Sequence, residues 1–174
     1  MIKNIALVAL AALALLLVYA ATRPDDFRIA RSTRIQAPPD KVFGMINDLQ
    51  AFNRWNPWER KDPGKGRYGA TMLGPGASYS WDSEKLGAGT MTITDAAPSS
   101  RVALRLDFVR PMQATNVAEF LLQSDGDATQ VTWAMTGKSN YLSKLIQVFF
   151  SMDRMVGDDF AAGLAQLKTL AEAR

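Results

Sequence analysis

Between Tyr141 and Ala171, Leu142, Leu145, Ile146, Phe149, Met152, Val156, Phe160, Leu164, Leu167 and Leu170 recur at three- and four-residue spacing. That period predicts one long C-terminal helix with a continuous apolar stripe. Its first half, Leu145 to Met155, is apolar on more than one face, so it must be covered on one side and meet a cavity or a membrane on another. Gly157 and Gly163 each cost up to ~1 kcal/mol relative to alanine in a helix, which suits a bend or close approach to a sheet. A stripe this long needs a partner surface of matching length, and the chain before it is built to supply one.

Phe27 to Ile35 alternates. Phe27, Ile29, Arg31, Thr33 and Ile35 share one face, with Arg28, Ala30, Ser32 and Arg34 on the other, the period of a strand. Pro38-Pro39-Asp40 opens a helix with the stripe Val42, Phe43, Ile46 and Leu49, and a second short helical turn is predicted over Leu49 to Arg54. Turn signals then cut a β region. Strands are expected over Tyr68–Leu73, Ala77–Ser83, Gly87–Asp95, Arg101–Val109, Gln113–Gln123 and Thr129–Gly137. In the fourth of these, Val102, Leu104, Leu106 and Phe108 oppose Arg101, Ala103, Arg105 and Asp107, the mark of a half-buried antiparallel strand. Asp125-Gly126 signals the hairpin between the last two.

Phe52-Asn53-Arg54-Trp55-Asn56-Pro57-Trp58-Glu59 sets three large aromatics directly after a short helix, in a chain without histidine or cysteine. Aromatics so grouped bury much apolar area and suit a lid or wall over an apolar cavity. The missing residue types exclude disulfides, thiol chemistry, and Ser-His-Asp or Cys-His catalysis. They leave zinc only an all-carboxylate shell, which suits it poorly. No metal and no cofactor is expected. With a net charge of +3, the chain has no case for nucleic-acid binding. Arg54, Arg60, Lys61, Lys65 and Arg67 form the one local basic run, read as a solvated loop or a contact with anionic headgroups.

Ile5 to Ala21 is an uncharged run of 17 residues behind Lys3. As a helix it spans roughly 25 Å against a hydrocarbon core of about 30 Å. The expected reading is a single-pass anchor in the inner (cytoplasmic) membrane, with the domain on the periplasmic or outer side. The alternatives are a secretory signal cleaved after Val18-Tyr19-Ala20 and a core helix of a soluble protein. The organisation is residues 1–22 as anchor or signal, 23–26 as linker and 27–174 as one globular domain, with no internal repeat.

Strand, two short helices, six strands and a long helix make an α+β chain. About seven antiparallel strands, strongly curved around the helix, would bury its stripe. This order, with Phe52…Trp55-Asn56-Pro57-Trp58, resembles the helix-grip superfamily that includes the START lipid-transfer domains and the polyketide cyclase/dehydrase group (the SRPBCC superfamily). Tyr79-Ser80-Trp81, Gly87-Ala88-Gly89-Thr90-Met91, Ala128-Thr129-Gln130-Val131-Thr132-Trp133 with Gly137, and Gly157-Asp158-Asp159-Phe160 running into Gly163-Leu164-Ala165-Gln166-Leu167-Lys168 look like its bacterial polyketide cyclase and lipid transport branch. The resemblance covers roughly Phe27 to Glu172. It implies a helix-grip fold with an internal apolar cavity between the concave sheet and the C-terminal helix. Matching positions are Trp55 and Trp58 near the mouth, and Tyr79, Trp81, Met91, Leu104, Leu106, Phe120 and Trp133 along the sheet. Phe149, Met152, Met155, Val156 and Phe160 would line the cavity from the helix. Taken singly, each is also an ordinary core residue.

Polar candidates are few: Glu59, Asp82, Glu84, Arg105, Asp107, Arg110, Asn116 and Glu119. Glu119 falls mid-strand with Thr115, Val117 and Leu121, opposite Asn116, Ala118, Phe120 and Leu122. Facing the cavity, it would be desolvated and able to act as a general acid. Facing outward, the expected placement, it is solvated or pairs with Arg105. Three functions follow. The leading one is a membrane-tethered domain that binds, and in that role transports or senses, a lipid or other hydrophobic small molecule without bond-making chemistry. The second is a cyclase- or dehydratase-type enzyme, favoured by a buried Glu119 or Glu59 beside Tyr79 or Tyr68. The third is an envelope interaction scaffold with a collapsed interior.

Overall fold

The computed structural model describes residues 2–173, and in it the Asp125-Gly126 signal closes a two-residue turn. Gly126 takes the left-handed backbone (φ 66°), and Asp125 pairs with Ala128 across it. The elements in chain order are α1 (Ile2–Thr22), β1 (Asp26–Ile35), α2 (Pro39–Asn47), α3 (Leu49–Asn53) and α4 (Pro57–Lys61). They continue with β2 (Gly66–Tyr68), β3 (Ser78–Ser83), β4 (Gly87–Ala97), β5 (Arg101–Arg110), β6 (Ala114–Asp125), β7 (Ala128–Lys138), α5 (Tyr141–Phe149) and α6 (Met152–Glu172). The seven strands form one antiparallel sheet in the order β1-β7-β6-β5-β4-β3-β2. Register shifts between β4 and β5 at Ala88/Gly89 and Ile93/Asp95 bend the sheet, as bulges do. This is the α+β architecture the residue pattern predicts and the helix-grip arrangement the resemblance implies.

α6 crosses the concave face and buries Phe160, Leu164, Leu167 and Ala171. Against them stand the inward sets of the alternating strands: Val102 and Leu104 of β5, Phe120 and Leu122 of β6, Val131 and Trp133 of β7. Gly163 permits this approach, because a Cβ there would lie 2.9 Å from the Trp133 ring and 3.0 Å from Pro57. Arg31 of β1 holds the first turn of α6 through paired contacts of 2.9 and 3.0 Å to the Asp153 carboxylate.

Three local readings change. First, the predicted continuous helix over 141–171 is two helices. Phe150 and Ser151 are extended, and the Ser151 hydroxyl accepts from the Arg154 N–H at 3.2 Å, capping a new helix. Second, the aromatic stretch holds a third short helix, α4, with Pro57 in its first turn and the Asn56 side chain accepting from the Trp58 N–H. Third, the strand expected over Tyr68–Leu73 is only β2. Beyond it the regular ladder stops: Gly69 still donates to the Ser78 carbonyl at 2.9 Å, and the Met72 carbonyl accepts from the Leu49 N–H at 2.8 Å.

Antiparallel pairing gathers one set of ends together. Asp26 faces Lys138, Gly137 faces Asn116, Ala88 faces Arg110, and Gly87 faces Ser83. α1, α5 and the start of α6 all join the sheet at this end. α1 is long and apolar enough to cross a membrane or to be a signal sequence, and nearly all of its surface is exposed.

Candidate functional site

A cavity of about 220 Å³ lies between the concave sheet and α6. Its floor is an aromatic cluster. Trp133 stacks on Phe160 with ring centroids 4.0 Å apart and planes within 7°, and lies tilted against Phe120 at 4.9 Å. Trp58 meets Trp133 and Phe160 edge-on at 5.8 and 6.0 Å. Phe52 adds another edge at 6.3 Å from Trp133. Tyr79, Met91, Leu104 and Ala118 continue the wall along the sheet. Trp81, Leu86, Leu106, Phe108 and Val156 are only partly buried, and Lys65 is exposed. The opening therefore lies among them, at the sheet end that carries α1. Gly89 makes room there, since a Cβ would fall 2.6 Å from the Trp81 ring.

Of the residues expected to line the cavity, Trp58, Tyr79, Trp81, Met91, Leu104, Leu106, Phe120, Trp133, Val156 and Phe160 are brought together around it. Trp55 is not on the wall. It is fully buried beneath the floor, edge-on to Phe52, Phe120 and Trp133, and its indole N–H donates to the Met45 carbonyl at 2.9 Å. Phe149, Met152 and Met155 are also elsewhere: the break at Phe150 turns α5, with Phe149, away from the sheet, and the first turn of α6, with Met152 and Met155, lies before the part of that helix that lines the cavity from Val156 onward. Phe149 and Met155 are exposed, and Met152 packs half-buried at a cleft shared with Phe27 and Phe150.

Glu119 does not face the cavity. It lies on the outer side of β6 and pairs with Arg101, which also takes Asp95; Arg105, its anticipated partner, bonds Asp107 at 2.7 Å instead. Glu119 sits opposite Ala103 in the register, and Arg101 opposite Leu121, so the diagonal neighbour captures it. Glu59 does reach the site. α4 carries it to the wall, where Tyr79 donates to one carboxylate oxygen at 2.5 Å and the Gly64 N–H donates to the other at 2.7 Å. Tyr68 packs on Tyr79 with centroids 4.9 Å apart.

Alternation could have reached Phe108, Ala118 and Met135, which repeat the inward period of their strands. Ser83 likewise alternates with Tyr79 and Trp81 in β3, whereas Asp62, Lys65 and Leu86 come from segments without any period, and only the fold brings them in. Ser83 donates to Asp62 at 2.6 Å, closing one rim of the opening. Among the described residues no three His, Cys, Asp or Glu side chains cluster as metal ligands.

Burial first, and then the Glu59 hydrogen bond, push the Tyr79 phenol well above the usual tyrosine range. A raised phenol binds its proton more tightly in the folded chain. Its stabilising contribution is therefore whole below the unfolded value of about pH 10 and is lost as the pH rises beyond it. The denaturant midpoint should thus fall as the pH is raised from about 10 to about 11.5, and less steeply in Tyr79→Phe. Parallel curves for the two proteins would remove Tyr79 as the cause.

A family model described as "Polyketide cyclase / dehydrase and lipid transport" matches residues 26–172. No curated protein matches the sequence. Among solved structures, hypothetical protein jhp0584 from Helicobacter pylori is similar at TM-score 0.66 and 12% identity, with 85% of this chain and 89% of that one covered. Protein CV1439 from Chromobacterium violaceum gives 0.62 and 16%, over 87% of this chain and 100% of that one. The Aha1 dimer from Colwellia psychrerythraea gives 0.58 and 16%, over 84% and 96%. At such identities these likenesses carry the fold alone.

Proposed function

Because the chain belongs to the polyketide cyclase / dehydrase and lipid transport family, we propose that it is a membrane-anchored binding protein for a small hydrophobic molecule. The observation that carries this reading is a cavity walled by aromatic and aliphatic side chains with its few polar groups near one side. Its volume of about 220 Å³ exceeds the ~150 Å³ of an engineered apolar cavity that takes up benzene. It falls short of the ~300–1,000 Å³ of usual ligand pockets. The size suits a ring or a single acyl segment, with a polar end near Glu59 and Lys65, and does not suit both chains of a phospholipid. Each enclosed CH₂ contributes about 0.8 kcal/mol, so binding needs no reactive group. α1, on this reading, is a transmembrane anchor that keeps the domain against the bilayer.

The test is a differential one. The full chain and a cavity-filled variant are purified in polymer-bounded native membrane discs, and their extracted small molecules are compared by mass spectrometry. Lipids of the disc cancel, and a cavity ligand is enriched only with the unaltered chain. Identical extracts would sink the proposal. A second reading rests on the Tyr79–Glu59 pair, a proton donor and acceptor in contact at the cavity wall, and makes the site a cyclase or dehydratase. In that case Tyr79→Phe should accumulate the unreacted substrate: for a dehydratase, a compound heavier by one water than the one recovered from the unaltered chain, and for a cyclase, its open-chain isomer, separated by chromatography. An unchanged bound compound favours the carrier.

A further inference from the structure

α5 is built inside out. Its one buried residue is Lys144, 8% exposed, which turns toward the domain and pairs with Asp25. Gln147 likewise turns inward and donates to the Ser139 hydroxyl at 2.9 Å. The outward face is Leu142, Ile146 and Phe149, at i, i+4 and i+7, extended by Phe150; Phe149 and Phe150 are 66% and 61% exposed. A helix facing water places its lysine outside and its phenylalanines inside. A contiguous apolar face of this kind suits an apolar outer medium.

The position of α5 identifies that medium. It packs beside the C-terminal part of α1, with the Tyr141 hydroxyl donating to the Leu17 carbonyl at 3.0 Å and Ala20 buried. Its exposed face is thus continuous with a helix of membrane-spanning length and apolar composition. We infer that α5 lies in the bilayer interface, with its Leu142–Phe150 face among the acyl chains. The cavity opening sits at the same end of the sheet, so it is held against the lipid, and an apolar ligand can pass between membrane and cavity without crossing water. This rests on the reading of α1 as an anchor.

The chain has no cysteine, so single substitutions report cleanly. Phe150→Cys, Val18→Cys in α1 and Gln123→Cys at the far end of the sheet are made in the full chain, reconstituted in phosphatidylcholine vesicles and treated with a water-soluble maleimide. Phe150→Cys and Val18→Cys should react at least about tenfold more slowly than Gln123→Cys. A fluorophore attached at Phe150→Cys before reconstitution should be quenched by lipids brominated on their acyl chains. If Val18→Cys is protected while Phe150→Cys reacts as fast as Gln123→Cys, α1 is an anchor and the docking of α5 is overturned. If both react fast, the anchor reading falls and takes this one with it. Protection of Phe150→Cys without quenching means that protein covers it, which also overturns the inference.

Discussion

Trp133→Ala should destabilise the domain by about 3–5 kcal/mol, the cost of removing a large aromatic from a core that collapses only partly. Trp133 is 3% exposed and joins strand to helix: it stacks on Phe160 from α6, tilts on Phe120 from β6, and takes the edges of Trp58, Trp55 and Phe52. The loss appears as a lower denaturant midpoint at unchanged slope. Trp133→Phe should be far milder. It keeps a ring in the stack, and it removes an indole N–H that is buried without a hydrogen-bond partner, which itself costs about 1–3 kcal/mol. A Trp133→Ala loss below about 1 kcal/mol would show that the stack does not join α6 to the sheet.

Leu106→Trp should weaken uptake about a hundredfold while sparing the fold. Leu106 lines the cavity near its opening and is only partly buried, so an added indole extends into empty space and its N–H stays within reach of water. An indole displacing about four methylenes of ligand removes about 3 kcal/mol of binding, on the order of a hundredfold in affinity. The readout is displacement of a fluorescent single-chain fatty acid, with the denaturant midpoint measured alongside. Unchanged affinity in a folded Leu106→Trp protein would place the ligand outside this cavity.

Much of this architecture is legible in periodicity. The alternation of Arg101 to Phe108 marks β5 and its inward face, and the stripe from Val156 to Leu170 marks the contact of α6 with the sheet. The same alternation puts Glu119 outside, although it cannot choose between Arg101 and Arg105, because a diagonal pairing depends on register. The helical period also fails at Phe149 and Met155. A stripe shows which residues share a side of a helix and not what covers that side. Ser151, a cap two residues past Phe149, was the available sign that a new helix starts there.

The sequence by itself determined most of the strands, their faces and the absence of thiol and histidine chemistry, because backbone pitch repeats every few residues and side-chain chemistry is written in each letter. Tertiary structure alone decided the meeting of Glu59 with Tyr79, the rim from Asp62 and Ser83, the burial of Trp55 beneath the cavity and the outward apolar face of α5. Those contacts join residues with no shared period, and they exist only because strand register and the turn at Phe150–Ser151 bring distant segments within packing distance.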